Sequence, residues 1–208
     1  MKLDSIAFAV AGMVFGLLAG WVIGAQYTAT RTVPPAVASA APATQGTAQQ
    51  QPPPSPPPPL NETDVEKYRK LAEAEPTSVA PRLALANLYF DAERYSDAVK
   101  WYKEVMRLDA RNADVSTDLG VSYYYLNQPD LALQQFEHSL AVNPRHTKTM
   151  LNLGIVRAFG KQDLEGASKA WQQVVEIAPT SPEGQAARRA LEAMKSAHPA
   201  VAGQPPGT

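Results

Sequence analysis

The stretch from Leu119 to Phe136 reads Leu-Gly-Val-Ser-Tyr-Tyr-Tyr-Leu-Asn-Gln-Pro-Asp-Leu-Ala-Leu-Gln-Gln-Phe, and it decides how this chain folds. Its marked positions are Leu119, Gly120, Tyr123, Ala132 and Phe136. The same set returns on both sides in register. Leu85 and Leu153 lie 34 residues from Leu119 in either direction. Ala86 and Gly154 follow them, Tyr89 and Arg157 answer Tyr123, Ala98 and Ala167 answer Ala132, and Tyr102 and Trp171 answer Phe136. Pro144 and Pro179 close the second and third units, with Ala110 in that place in the first. A period of this length marks stacked units that bury their apolar faces only against their neighbours. It moves the expected function from chemistry towards binding.

Within each unit the spacing reads as two helices. Leu85, Leu88 and Tyr89 form one helical face between Val79 and Phe90, and Ala98, Trp101, Tyr102, Val105 and Leu108 form a second. Two antiparallel helices that pack closely need a small residue where the backbones meet and a large one beside it. Ala86 with Ala98, Gly120 with Ala132, and Gly154 with Ala167 are expected to be the close-approach pairs. Tyr102, Phe136 and Trp171 are the knobs that fill the adjoining space. Ser96 is expected to cap the second helix of the first unit, and Asn127 to take the left-handed turn conformation.

On these residues the chain resembles the tetratricopeptide repeat family over roughly Val79 to Pro179, about half its length. The resemblance implies an all-α fold: a helix-turn-helix solenoid with capping helices. The repeats are placed at about 79–112, 113–146 and 147–180 within a folded domain at 61–196, with flanking helices at about 62–75 and 182–196. Two positions depart from the family pattern. Arg157 replaces a large aromatic, and the third unit carries one extra residue around Lys161 to Gly166, which predicts a looser third inter-helix turn. In the first flank, Tyr68 and Leu71 are spaced as the apolar face of a covering helix. In the last, Ser181-Pro182-Glu183 is a helix start, and Ala187, Leu191 and Met194 share one face, with Arg188, Arg189 and Lys195 elsewhere.

The rest of the chain is organised differently. After a head of residues 1–4, residues 5–27 are 23 positions without a charge, which predicts a transmembrane signal-anchor helix. At about 1.5 Å per residue this run crosses a hydrocarbon core of about 30 Å. A cleaved signal peptide is the competing reading, since Ser39-Ala40-Ala41 offers small residues, but the run exceeds the usual length of such a core. A short head and a long tail place the head in the cytoplasm and the repeats outside it, in the periplasm if the membrane is a bacterial inner membrane. Gly12, Gly16, Gly20 and Gly24 form a small-residue stripe suited to close helix-helix contact, with a partner or a second copy. Residues 28–60 are rich in Pro, Ala, Thr and Gln and end in the run Pro52 to Pro59, which reads as a disordered, partly stiff spacer. A disordered tail is expected at 197–208.

Composition excludes several functions. Cysteine is absent from the 208 residues, which removes thiol nucleophiles and thiolate metal sites, and the net charge of −1 gives no basic stripe for nucleic acid. His138, His146 and His198 lack metal-ligand spacing, and His138 is expected on a helix surface. No catalytic residue, metal or cofactor is assigned, and the chain is read as a non-enzyme.

The candidate site is instead the concave face that the resemblance assigns to the first helices: Leu83, Asn87, Phe90, Thr117, Val121, Tyr124, Leu151, Ile155 and Phe159. A protein or peptide partner is expected there. Some family members grip a C-terminal carboxylate with a clamp of basic and amide side chains. Asn87 and Lys148 match that clamp, but Leu83, Asp118 and Asn152 replace a lysine, an asparagine and an arginine, so carboxylate capture is not expected. The resulting expectation is a membrane-anchored adaptor that supports assembly of a complex. Narrower alternatives are an accessory factor in c-type cytochrome maturation or inner-membrane protein biogenesis, and a non-catalytic subunit of an enzyme complex.

Overall fold

The computed structural model describes residues 56–197. The expected anchor at 5–27 with its glycine stripe, the linker up to residue 55 and the tail from residue 198 lie outside the described residues. Among the described residues no helix is long and apolar enough to cross a membrane.

The described fold is all helical: α1 (Glu62–Ala74), α2 (Ala80–Asp91), α3 (Tyr95–Leu108), α4 (Ala113–Tyr125), α5 (Pro129–Val142), α6 (Thr147–Ile155), α7 (Leu164–Ile177) and α8 (Pro182–Ala197). A π-helical turn, Val156–Gly160, extends α6. Helices α2 and α3, α4 and α5, and α6 and α7 pack as successive hairpins, with α1 against α2 and α8 against α7.

Side chains start several of the helices by satisfying first-turn N–H groups. Asn61 accepts from the Asp64 N–H at 3.2 Å, Asn112 from Val115 at 3.0 Å, Asp163 from Gly166 at 2.8 Å and Ser181 from Gly184 at 3.1 Å. Ser96 does not cap α3, contrary to expectation. Glu93 takes the left-handed conformation (φ 56°) and the Arg94 N–H reaches the Tyr89 carbonyl, so α3 already begins at Tyr95. Its first turn is held instead by Asp97, which pairs with Arg94 at 2.8 Å and Lys100 at 2.9 Å.

The third inter-helix turn is not looser. Three residues separate the helices in all three hairpins (92–94, 126–128 and 161–163), with Glu93, Asn127 and Gln162 left-handed in the middle. The extra residue is absorbed earlier, in the π turn that closes α6, as single insertions into helices commonly are. The closing bonds record it. Arg94 and Gln128 each donate back five residues, to Tyr89 and Tyr123, whereas Asp163 reaches back six, to Arg157. Arg157 occupies its aromatic's place by clamping this turn. Its Nη1 donates to the Gly166 carbonyl at 3.3 Å, and its Nε lies 3.9 Å from Asp163.

Inside the hairpins the small and large residues interlock. Ala86, Ala98, Tyr102, Ala132, Phe136, Ala167 and Trp171 are all buried. A methyl added at Gly120 would lie 2.5 Å from Cε1 of Phe136 and 3.1 Å from the Ala132 carbonyl, so the backbones meet where the spacing placed them. At Gly154 the added methyl would run into the Trp171 indole. That indole is fixed by donating Nε1 to the Leu151 carbonyl at 3.1 Å.

The ends are covered. Helix α1 buries Val65 and Ala72, two turns apart, with Tyr68 packed beside them. Leu71 falls off that stripe and stays 38% exposed, which corrects the apolar face read from sequence. Leu60, assigned to the linker, packs against the same core, so the folded unit starts there. Arg82 is buried and locks α1 onto α2. Its guanidinium donates to the carbonyls of Ala72 at 2.9 Å, Glu75 at 3.0 Å and Ser78 at 2.8 Å, at the helix end where a cation is favoured. At the far end α8 buries Ala186, Ala187 and Ala190, half-buries Leu191 and Met194, and exposes Arg188, Arg189 and Lys195.

Candidate functional site

The first helices of the three hairpins, α2, α4 and α6, carry the nine residues assigned to the concave face. Their neighbours in space are established by contacts of α4 with α6 and of α6 with α8, and by the Phe90 ring beside Tyr125 with centroids 6.4 Å apart. The nine residues divide by accessibility. Leu83, Asn87, Phe90, Val121 and Tyr124 are half-buried, Phe159 is 36% exposed, and Thr117, Leu151 and Ile155 are buried. The apolar and aromatic groups of the nine that keep accessible surface are thus Leu83, Phe90, Val121, Tyr124 and Phe159.

At the end of α2, Phe90 sits in an aromatic cluster that the sequence reading missed. Its ring meets Tyr95 edge-on at 5.5 Å and Tyr102 at 6.4 Å, while Tyr95 stacks on Tyr125 at 4.4 Å. These rings tie the first hairpin to the second. Burial, with the neighbouring Glu93 carboxylate, pushes the Tyr125 hydroxyl up to about 12; burial and Tyr125 do the same for Tyr124.

Polar groups in the middle of the face are already engaged. Asn87 accepts from the Tyr102 hydroxyl at 2.8 Å, and Asn152 turns back to donate to the Lys148 carbonyl at 2.8 Å. Lys148 donates to Asp118 at 2.7 Å, with both side chains under a quarter exposed. Burial raises the Asp118 carboxyl above the usual range, Lys148 pulls it back only in part, and Asp114, one helical turn earlier, adds like-charge repulsion. The amine that matches a carboxylate clamp is therefore held by a carboxylate of the chain itself.

Thr117 belongs to a second arrangement that sequence reasoning overlooked. Its hydroxyl and that of Ser139 both donate to the Ala113 carbonyl at 2.8 Å. Thr149 lies 2.6 Å from Thr117 and 2.8 Å from Ser139, and His146 Nδ1 lies 2.5 Å from Thr149. The other imidazole nitrogen is 3.2 Å from Asp114. A carboxylate, an imidazole and a hydroxyl in this order have the outline of a nucleophile with its base. Thr117, Ser139 and Thr149 have no exposed surface, however, so no substrate atom reaches them. The network joins α4, α5 and α6 as structure, and no buried side-chain polar atom among the described residues lacks a partner. Its signal in the sequence is faint: hydroxyl residues at interior helix positions, which spacing rules score as surface. No group of three metal-ligating side chains occurs among the described residues. His138 is exposed on α5, with Nδ1 3.2 Å from Ser116.

Comparison with known proteins addresses the repeat directly. Family models for the TPR repeat and the tetratricopeptide repeat match residues 86–127 and 117–182. The BBSome complex member BBS4 of Bos taurus is 31% identical over 99 residues, 48% of this chain and 19% of that protein. Human RNA polymerase II-associated protein 3 is 30% identical over 95 residues, 46% of this chain and 14% of that protein. The matched segment thus spans less than a fifth of either curated relative. Among solved structures, MamA from Desulfovibrio magneticus RS-1 superposes with a TM-score of 0.59 at 22% identity, covering 68% of this chain and 79% of that one. The first TPR of Spaghetti (RPAP3), bound to the HSP90 peptide SRMEEVD, superposes at 0.51 with 23% identity, covering 68% and 98%.

Proposed function

From the premise that residues 86–182 carry tetratricopeptide repeats, we propose that this chain is a non-catalytic adaptor that binds a protein partner on the face formed by α2, α4 and α6. The observation that carries this reading is the set of partly accessible apolar and aromatic groups Leu83, Phe90, Val121, Tyr124 and Phe159, on a scaffold whose clustered hydroxyls Thr117, Ser139 and Thr149 are sealed from solvent. Apolar and aromatic anchors on a rigid helical face suit an extended or helical segment of another chain. The charge-free run at 5–27 supports placing the adaptor at a membrane. The short head before that run and the long tail after it support display of the repeats on the extracytoplasmic side, with the proline-rich stretch as spacer, where they would help hold a membrane-associated complex together. The Gly12, Gly16, Gly20, Gly24 stripe supports a further helix contact within that membrane, with the partner or a second copy.

The test is crosslinked capture of partners by the tagged full-length chain from its own membranes, beside a Val121→Glu, Phe159→Ala variant checked for helical content. Phe159 is partly exposed but Val121 is half-buried against the core around Phe136, so only a variant that keeps its helical content is read. A partner held by the chain and lost from the folded variant supports the reading. Identical recoveries from both would remove this face from the function.

A further inference from the structure

We propose that the face formed by α2, α4 and α6 selects a peptide segment bearing lysine or arginine, with the basic side chain seated at Asp114 and Asp118. The inference rests on the adaptor reading and specifies its partner chemistry. It comes from where every cation on these helices is committed. Arg82 is buried, with its guanidinium on the carbonyls of Ala72 and Glu75 at the end of α1 and of Ser78 in the turn that follows. Arg157 turns away to the Gly166 carbonyl and Asp163. Lys148 is the remaining cation of the three helices and is bridged to Asp118 at 2.7 Å.

Asp114, one turn before Asp118 on α4, keeps 71% of its side chain exposed, and His146 at 3.2 Å is its neighbour across the hairpin boundary. Two carboxylates on one helical face therefore share a single lysine and an imidazole. Within the Debye length of about 8 Å at physiological salt, an approaching acidic segment meets net repulsion. A guanidinium or ammonium meets an exposed carboxylate at Asp114 and can compete with Lys148 for Asp118, relieving the repulsion between the two aspartates. Val121, two turns on from Asp114, and Tyr124 add apolar groups on the same helix, which fits a segment whose basic residue is flanked by apolar ones. Leu83 offers no cation on the α2 side.

The experiment is selection of a random dodecapeptide display library on three full-length forms in detergent: the unaltered chain, Asp114→Asn with Asp118→Asn, and Val121→Glu. Peptides enriched on the unaltered chain are expected to carry net positive charge, and the bias to vanish on the double asparagine form. A synthetic selected peptide should bind that form about tenfold more weakly, with the difference shrinking at high salt. Enriched peptides with no positive bias, or a bias unchanged by the asparagines, would overturn the charge preference and leave the adaptor reading standing. Failure of the unaltered chain to enrich any peptide over Val121→Glu would sink both.

Discussion

Asp118 concentrates the electrostatics of this molecule in one side chain. It stands where a carboxylate-binding relative would use an asparagine, and it holds Lys148 at 2.7 Å. Despite that partner its carboxyl lies above the usual range, because burial outweighs the lysine and Asp114 opposes it as well. The sign of the pH effect follows. A carboxyl with a raised folded pKa stabilises the fold while protonated, and loses that contribution as pH rises from its unfolded value near about 3.9 through its folded value. Relative to Asp118→Asn, the unaltered chain should therefore be more stable at about pH 3 than at about pH 7. Urea unfolding of both forms at the two pH values reads this as a shrinking or reversed gap in midpoint. A gap that widens with pH would mean the lysine dominates and the carboxyl is depressed. The sequence placed Asp118 and Lys148 on one face through the clamp positions they occupy, but spacing cannot say that the two pair or how deeply they are buried.

Each hairpin, by contrast, was readable because its packing rule is local and repeats. The small residue and the aromatic knob recur in register, and the structure brings Gly120 to Phe136 and Gly154 to Trp171. Gly154→Ala tests that rule where it is tightest. The new methyl collides with the indole, which cannot tilt away without losing its bond to the Leu151 carbonyl. A loss of about 1–3 kcal/mol is expected from such overpacking. Chemical denaturation should show a lower midpoint at unchanged slope. Adding Trp171→Phe should recover part of it, so that the double variant loses less than the sum of the singles. Additive losses would mean that glycine and tryptophan are not in direct conflict. The misread parts of the elements have equally local reasons. An extra residue shows in the sequence only as a longer interval, and whether a turn or a helix absorbs it depends on the bonds that close around Gln162. Ser96 lost its capping role for the same kind of reason, a helix start two residues earlier than its place as cap requires. Of the nine groove residues, Thr117, Leu151 and Ile155 are buried, because family positions specify a face but not the depth at which neighbouring helices leave it.

At the scale of the whole molecule, a stack whose units touch only their neighbours is weakest at its ends, and this stack treats its two ends differently. The C-terminal helix α8 is held by small side chains, Ala186, Ala187 and Ala190, set closely against its neighbours. The N-terminal helix α1 buries little beyond Val65 and Ala72, and its attachment relies on the three carbonyls gathered by Arg82. Hydrogen bonds from a charged donor contribute roughly 1.5–3 kcal/mol each, and deleting this guanidinium takes that donor from the buried Ala72 carbonyl and from two partly buried ones. Arg82→Leu preserves much of the side-chain bulk and removes the bonds. The consequence should be uneven: amides of α1 exchange with solvent at least tenfold faster, while those of α6 and α7, two hairpins away, keep their protection. Hydrogen exchange followed by mass spectrometry on peptides from each helix resolves the two regions. Loss of protection in α6 and α7 to the same degree would mean that the stack unfolds as one unit. The covering helix would then be part of a single cooperative core, and the apolar groups from Leu83 to Phe159 would depend for their placing on a residue outside them.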